Sequence, residues 1–299
     1  MFEDSHRVYG SLAKNRVGIV VHPSRAEAVA LAREVEAWLN QRGIETAYDK
    51  AAAERLNLPP FDCAGDEAEE VDFIVTLGGD GTILTAARMA APYGVPILGV
   101  HKGRFGFIAE IEPARIEEAL EKTLREEALV EERLMVHAEI VREGVVICQR
   151  FGLNEVMVKS GMSHLMALST SLGGTPFARF PSDGIVVATP TGSTAYALSA
   201  GGPLVMPTVE ALLMVPICPH TLNARPLLLP KDETIEIEIE SEGNDMFFAV
   251  DGIDAVPLMS GDRILIQRSE HVTRLLVFET GTFYRKVRAR YLYGERLNE

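Results

Sequence analysis

A chain of 299 residues in which 47% are hydrophobic is long enough to bury the core of one large domain or two ordinary ones. Its formal net charge of -14 argues against a broad surface for nucleic acid or acidic lipid, because such partners require clustered Lys and Arg. If the ligand is a nucleotide, its negative charge would have to be neutralised locally by backbone N–H groups, helix N-termini, a few basic side chains and Mg²⁺.

The three cysteines, Cys63, Cys148 and Cys218, lie far apart in the sequence. They form neither the close pairs of a metal site nor an even-numbered disulfide set, which indicates a reducing compartment. Glu3 and Asp4 precede any apolar run, so we expect no signal peptide. No stretch reaches the roughly 18 apolar residues that a membrane helix needs. We therefore expect a cytoplasmic protein that binds neither nucleic acid nor membrane.

The first part of the chain alternates strands and helices. Arg16–Pro23 has the apolar, β-branched composition of a strand, and Ser24 is placed to cap the helix that follows. Gly43 ends that helix, and Ile44–Tyr48 predicts a second strand. With two further strands and a helix up to Val95–Val100, this order indicates a parallel sheet covered on both faces.

A glycine-rich turn joins a strand to a helix in this region. Phe73–Leu77 is a short β-branched run typical of a buried parallel strand, and a helix begins near Thr82. The glycines of Gly78–Thr82 allow the backbone to approach a ligand that a Cβ would obstruct. Because unpaired N–H groups and the positive end of a helix meet at this turn, it predicts a phosphate site.

Asp80 distinguishes this turn from a simple phosphate loop. Bound phosphates repel a carboxylate unless it contacts Mg²⁺ or takes a proton from an attacking hydroxyl, so Asp80 favours phosphoryl transfer. The alternative is that Asp80 or Thr82 only caps the helix.

The stretch His101–Phe107 follows the next strand and adds two cations near the same edge of the sheet. His101 and Lys102 either serve the same phosphates or lie in a solvated loop.

The hydrophobic period changes from about 3.6 to about 2 after an amphipathic helix predicted over Pro113–Ala128. Leu134–Ile140 and Val145–Phe151 flank a glycine-containing turn and predict a hairpin. Ile235–Glu240 alternates strictly and then turns into Phe247–Val250. The second half is therefore predicted to be mostly antiparallel β, with more strands at residues 263–267 and 274–278.

Ser182–Pro203 is too polar and too small in its side chains for a core segment. Its Thr and Ser hydroxyls around Gly192 suit ligand hydroxyls or phosphates, and Tyr196 offers a ring face to a base. The alternative is a helix capped by Ser193 or Thr194.

Asn154 and Glu155 begin another predicted strand. The Asn amide matches the edge of an adenine or a carboxamide, and the Glu carboxylate can accept from ribose hydroxyls. A turn or edge position explains this pair equally well.

These segments, together with Asp183–Gly184 and His220–Pro226, resemble the NAD kinases across nearly the whole chain. The Thr-Pro-Thr-Gly-Ser-Thr-Ala-Tyr sequence makes the resemblance specific, whereas lipid kinases and phosphofructokinases have similar glycine turns. The resemblance implies an α/β plus all-β fold: a Rossmann-like parallel α/β domain at residues 1–112, and an antiparallel β-sandwich-like, NAD-binding domain at 113–280. A C-terminal helix at 281–299 would pack back on the first domain, with its basic residues forming a solvated face.

The resemblance also implies ATP-dependent phosphorylation of the adenosine ribose 2′-hydroxyl of NAD in a homodimer or homotetramer, with Mg²⁺ arriving on ATP. Asp80 would accept the proton. Phosphates would be cradled by Gly78, Gly79, Gly81 and Thr82. Asn154 and Glu155 would hold nucleoside hydroxyls, and Asp183 an amide or hydroxyl group. The NAD pocket would be lined by Thr191, Gly192, Ser193, Thr194, Ala195, Tyr196, Ala197, Leu198 and Ser199, with Tyr196 stacking.

Three positions depart from the pattern of that family. His101 stands where Asn is usual, Pro181 where Arg is common, and Ile253 near a position often held by a polar amide. Arg179 is a candidate substitute for the missing Arg. These departures leave open the preference for NAD or NADH and for ATP or polyphosphate as donor.

Two other functions compete with this interpretation. A lipid or sugar kinase would share the glycine turn, but the run from Thr189 to Pro203 suits nucleoside contacts, and no large apolar groove is evident. A non-catalytic dinucleotide sensor is suggested by the three departures, but the presence of Asp80 counts against it.

Overall fold

The computed structural model describes residues 7–10, 12–22, 24–56, 60–61, 70–101, 106–161, 165–221, 223–243 and 245–291. The chain forms two compact units, of which one contains residues 1–132 and 273–299 and the other residues 133–272. The C-terminal residues therefore belong to the same unit as the N-terminal ones.

The first part of the chain builds α/β structure. Its elements are β1 (Arg7–Val8), β2 (Arg16–Val21), α1 (Ala26–Asn40), β3 (Glu45–Asp49), α2 (Lys50–Leu56), β4 (Pro60–Phe61), β5 (Phe73–Gly78), α3 (Asp80–Ala90), β6 (Ile97–His101) and α4 (Ile116–Leu124). Short 3₁₀ turns follow α3 at Ala91–Tyr93 and precede α4 at Pro113–Arg115.

The remainder of the chain is mainly β. Its elements are β7 (Leu129–Arg142), β8 (Val145–Gly152), β9 (Glu155–Ser160), β10 (Met166–Leu172), β11 (Thr175–Ser182), β12 (Gly184–Ala188), α5 (Tyr196–Ser199), β13 (Ala211–Ile217), β14 (Leu227–Pro230), β15 (Ile235–Ile239), β16 (Met246–Val250), β17 (Ile253–Pro257), β18 (Arg263–Val277) and α6 (Thr282–Tyr291). A 3₁₀ turn, Thr191–Thr194, precedes α5. None of the helices within the described ranges combines the length and apolarity needed to cross a bilayer.

The first unit contains the predicted parallel sheet. Its strands run in the order β6, β5, β2, β3 and β4, all parallel, and the end of β18 adds to β6 in the same direction. Alternate residues of β2 and β5 pack against α1 and α4. The intervening Val20 and Ile74 are equally buried, so both faces of the sheet are covered. The prediction of a doubly covered parallel sheet is confirmed.

Two helix boundaries differ from the sequence-based expectation. Helix α1 begins at Ala26, and its N-cap residue is the extended Arg25 rather than Ser24. Helix α4 ends at Leu124 rather than near Ala128, and its first turn is 3₁₀. The chain leaves the helical conformation because Glu126 adopts a left-handed φ of 61°.

The second unit is a sandwich of two antiparallel sheets. One sheet has the order β11, β10, β15 and β18, with β7 paired to β18 and β8; the other has the order β14, β13, β12, β9, β16 and β17. Apolar side chains from both sheets form one core, which includes Ile237 of β15 and Val187 of β12. The predicted β7–β8 hairpin is confirmed, and its turn places Glu143 and Gly144 at φ values of 50° and 79°.

Strands β15 and β16 are both present, but they lie in different sheets of the sandwich. Strand β15 pairs with β10 and β18, whereas β16 pairs with β9 and β17. These two strands are therefore not the arms of one hairpin. Both strands are apolar on the face toward the shared core. This pattern fits a hairpin within one sheet as well as two strands in separate sheets, so it does not distinguish them.

Helix α6 has one buried cation among its basic residues. Lys286 is 7% exposed, while Arg285, Arg288 and Arg290 of the same helix are exposed. The prediction of a solvated basic face is therefore wrong for Lys286. Residues 292–299, including Arg296, lie outside the described residues.

Candidate functional site

The glycine turn connects fully buried β5 to helix α3. Gly79 is the N-cap residue, and no side chain caps the helix. The first intrahelical bonds run from the N–H groups of Thr82 and Ile83 to the Gly79 carbonyl. Because neither Asp80 nor Thr82 acts as a side-chain cap, the simple capping alternative is wrong, and Asp80 occupies the first helical position.

The three glycines of the turn have different structural roles. A Cβ at Gly78 would lie 2.0 Å from Oγ1 of the buried Thr82, so this glycine allows the strand end to pack on the helix. A Cβ at Gly79 or Gly81 would meet no described atom within 4 Å. Neither has a positive φ. These two glycines therefore leave the outer surface of the turn open, as close approach by a ligand requires.

Three consecutive backbone N–H groups donate to the Asp80 carboxylate. Phe107 N–H bonds Oδ2 at 2.9 Å, and Ile108 and Ala109 N–H bond Oδ1 at 3.3 Å each. A Cβ at Gly106 would lie 2.1 Å from Oδ1, so only glycine lets this segment come so close. Since a carboxylate has about four acceptor positions, this arrangement fixes Asp80 and leaves one for a further donor.

The segment that holds Asp80 is attached to the end of β6. Glu110 and Ile111 N–H donate to the Gly99 carbonyl, and His101 N–H donates to the Ile111 carbonyl. His101 is buried at the last position of the strand. The predicted cation Lys102 lies outside the described residues, so its part in phosphate binding stays a prediction.

In the second unit, Asp251 positions Asn154 and Glu155. Its carboxylate accepts hydrogen bonds from the N–H groups of Leu153 at 2.9 Å, Asn154 at 2.8 Å and Glu155 at 3.2 Å. Asp251 is 8% exposed and has a φ of 52°. Our sequence reasoning missed this residue; the Asp-Gly pair directly after β16 was the available signal.

The Thr189–Thr194 region packs directly on Asn154. A Cβ at Gly192 would lie 2.0 Å from the Asn154 carbonyl oxygen, so no other residue allows this approach. Thr189 N–H donates to the same carbonyl at 2.8 Å, and Thr189 Oγ1 donates to the Leu153 carbonyl at 2.6 Å. Gly192 is thus explained by contact between two backbone segments.

Most hydroxyls in this run bond to the protein itself. Ser193 Oγ, fully buried, donates to the Pro190 carbonyl at 2.7 Å and accepts from Val205 N–H at 3.0 Å. Thr194 Oγ1 donates to the Thr191 carbonyl. Neither caps α5, whose N-cap residue is Ala195, so that alternative is wrong. The run therefore shapes the site mainly through its backbone.

Two buried acceptors beside this turn have no hydrogen-bond partner among the described residues: Asn154 Oδ1 and Glu155 Oε2. Burial, reinforced by the charge of Asp251, raises the pKa of Glu155 to about 8, against a smaller lowering by Tyr196 N–H. A buried acceptor without a partner is destabilising by about 1–3 kcal/mol. A ligand with hydroxyl or amide donors would satisfy both atoms.

Tyr196 extends from this turn along β9. Its hydroxyl accepts a hydrogen bond from Lys159 Nζ at 3.2 Å, and the ammonium lies 5.6 Å from the ring centroid. Base stacking by Tyr196 stays a prediction. Ala197 is buried in the core below, Leu198 is half-buried and Ser199 is exposed.

Asp183 lies at the opposite end of β12 from the Asn154–Glu155 pair. Gly184 pairs with Lys159, and Ala188 pairs with Glu155. Five residues of strand separate the two ends, which corresponds to about 17 Å. Asp183 therefore does not join the cluster around Glu155.

The three departures from the expected pattern lie in different settings. His101 is buried in β6, Pro181 is exposed on β11, and Ile253 is half-buried at the start of β17. Arg179 forms an ion pair with Glu240, and its side chain is 72% exposed. Its role as a substitute for the missing Arg stays a prediction.

Family models match both halves of the chain. The ATP-NAD kinase N-terminal domain matches residues 17–128, and the ATP-NAD kinase C-terminal domain matches residues 153–277. The matched ranges include the glycine turn in the first half and the Asn154, Asp183 and Gly192 positions in the second.

Individual relatives extend over almost the whole chain. The NAD kinase of Heliobacterium modesticaldum is 37% identical over 279 residues, which cover 93% of this chain and 99% of that protein. Yeast NADH kinase in complex with NADH has a TM-score of 0.87 at 27% identity, covering 95% of this chain and 90% of that one. An NAD kinase from Archaeoglobus fulgidus in complex with ATP has a TM-score of 0.70 at 27% identity. The match covers 92% of this chain and 97% of that one.

We predict that Glu155→Gln changes the pH dependence of stability. The folded carboxyl binds its proton more tightly than the unfolded one, so wild-type stability should fall as the pH rises from about 4.5 to about 8. The variant should lack this fall and exceed the wild type by roughly 2–5 kcal/mol at pH 9. Urea unfolding between pH 5 and pH 9 measures the difference.

The control is Glu238→Gln, which alters an exposed carboxylate of β15. It should leave the pH profile unchanged. A Glu155→Gln profile parallel to the wild type would show that Glu155 ionises normally in the folded protein.

Proposed function

This chain belongs to the ATP-NAD kinase family, and on that basis we propose that it phosphorylates NAD with ATP to give NADP and ADP. The acceptor is the 2′-hydroxyl of the adenosine ribose. The observation that carries the proposal is the Asp80 carboxylate, held by three N–H groups beside an open glycine turn at a helix N-terminus.

The first unit supplies the phosphate chemistry. Gly79 and Gly81 leave room for phosphate oxygens to meet backbone N–H groups at the positive end of α3, while Gly78 and Thr82 form the packed base of the turn. Positioning and neutralisation of charge account for most of the rate in phosphoryl transfer. We propose that residues 1–112 form the domain that contains this turn and that the C-terminal helix packs back on this domain.

Asp80 accepts the proton during transfer. The 2′-hydroxyl oxygen forms a bond to the γ-phosphorus of ATP, its proton passes to the remaining acceptor position of Asp80, and the bond to the bridging oxygen of ADP breaks. Mg²⁺ supplies charge neutralisation on the phosphates when bound. The turn contains a single carboxylate, which fits a Mg²⁺ that arrives on ATP better than one held by a protein cage.

The second unit holds NAD. Asn154 Oδ1 and Glu155 Oε2 would receive hydroxyl or amide donors of the nucleosides, which explains why these buried acceptors lack protein partners among the described residues. Asp183 would bind a hydroxyl or amide group farther along β12, and Tyr196 would stack on a base. The backbone of Thr191–Ser199 would form the wall of the pocket.

A homo-oligomer is also proposed, from the exposed face of β8. This strand pairs only with β7 among the described residues, and Val145, Val146 and Ile147 are 63%, 45% and 44% exposed. An apolar edge strand of this kind suits pairing with a second copy.

Val146→Lys should lower the mass measured by light scattering, whereas Val209→Lys, at a separate exposed site, should not. A wild type that is already monomeric would reject the proposal.

We place the protein in the cytoplasm. Cys148 and Cys218 are free thiols within the described part of the chain, which suits a reducing compartment. Fractionation of expressing cells should recover the protein and its activity with the cytosol, and recovery from the membrane or secreted fraction would contradict this location.

We predict that Asp80→Asn folds but loses about 10²- to 10⁴-fold in kcat for NADP formation. The amide cannot accept the hydroxyl proton, although NAD should still bind. The measurement is ATP-dependent NADP formation with Mg²⁺, alongside NAD binding by calorimetry.

Asp72→Asn is the matched control, because Asp72 also accepts backbone N–H bonds, from Ala13 and Lys14. It should retain wild-type kcat. Unchanged turnover in Asp80→Asn would remove Asp80 from the proposed role, and NAD binding by the wild type without turnover would indicate a sensor.

A further inference from the structure

We propose that Lys286, on the C-terminal helix α6, is a positioning residue for Asp80. The inference rests on the proposed role of Asp80 as proton acceptor. Lys286 acts on Asp80 through the segment Gly106–Glu110, which no other part of the proposed mechanism explains.

Lys286 and Asp80 bind the two sides of one peptide group. Lys286 Nζ donates to the Phe107 carbonyl oxygen at 3.0 Å, and the Ile108 N–H of that same peptide donates to Asp80 Oδ1 at 3.3 Å. A peptide group is planar and nearly rigid, so fixing its oxygen also fixes the direction of its N–H. A cation on the oxygen further polarises the N–H and strengthens it as a donor.

Glu110 holds the ammonium in place. Lys286 Nζ also donates to Glu110 Oε1 at 3.1 Å, and Thr282 Oγ1, one turn earlier on α6, donates to the same oxygen. The two side chains of the ion pair are 6% and 12% exposed. Lys286 is therefore anchored at both ends of the segment that carries the three N–H donors.

The side chain of Phe107 is held by the same helix. Its ring stacks on Tyr291 with centroids 6.0 Å apart and lies 6.2 Å from Phe283, and Arg290 lies 5.3 Å from its centroid. Backbone and side chain of Phe107 are thus both fixed by α6, which lies about 180 residues farther along the chain.

Stability alone gives little reason for this ion pair. Desolvation of two buried charges offsets most of their attraction, and apolar replacement of such a pair is often neutral or stabilising. The ion pair between Arg285 of the same helix and Glu279 provides the comparison, since its two side chains are 68% and 53% exposed. A specific role for the buried pair is therefore to orient the peptide.

The test uses the full-length double variant Lys286→Met with Glu110→Gln, which removes both charges together. Hydrogen exchange of the Phe107–Ala109 amides should become at least about tenfold faster. The kcat for NADP formation should fall about tenfold to hundredfold, with KM for NAD and ATP within about threefold of wild type. Arg285→Met, which removes an exposed cation from the same helix, should change neither quantity.

Several outcomes would overturn the inference. Unchanged amide protection would show that Lys286 does not hold the segment, and this readout does not require activity. Faster exchange with unchanged kcat would show that the segment does not position Asp80. If the double variant does not fold, Lys286→Gln and Lys286→Arg replace it. Both kcat and the exchange protection of the Phe107–Ala109 amides must then be higher in Lys286→Arg, which retains the positive charge, than in Lys286→Gln. A wild type without NADP formation would instead reject the proposed function.

Discussion

In each unit, the residues proposed to act depend on one interaction: a carboxylate that accepts hydrogen bonds from three successive backbone N–H groups. Asp80 binds residues 107–109 in the first unit, and Asp251 binds residues 153–155 in the second. In each case a charged side chain satisfies donors that no helix or sheet ladder uses, and a loop becomes fixed. The residues proposed to act on the substrate are Asp80 itself in one unit and the Asn154–Glu155 pair in the other.

A glycine next to each of these clamps makes the close approach possible. A Cβ at Gly106 would lie 2.1 Å from Asp80 Oδ1, and one at Gly152 would lie 2.8 Å from Asp251 Oδ1. Neither glycine has a positive φ, so space and not backbone strain accounts for them. The glycines of the site therefore divide into those that permit internal packing, such as Gly78 and Gly192, and those that leave space for a ligand.

Each unit also contains groups that lower stability near the residues proposed to act on the substrate. Glu155 is buried beside a second carboxylate, its pKa is raised to about 8, and one of its oxygens lacks a partner within the described residues. Lys286 and Glu110 form a buried ion pair behind Asp80. Strained or unsatisfied polar groups of this kind persist at functional sites, where a ligand completes the hydrogen bonds or where orientation matters more than stability.

Local patterns in the sequence determined the parallel sheet, the β7–β8 hairpin and the glycine turn, because each depends on residues close together in the chain. Several such motifs, spread along the chain, together indicated the family. Tertiary structure alone decided that β15 and β16 lie in separate sheets, since their alternating pattern fits either arrangement. It also decided which distant backbone groups Asp80, Asp251 and Lys286 contact. These contacts span 27, 97 and 179 positions of the chain, and local sequence patterns do not identify the partner across such separations.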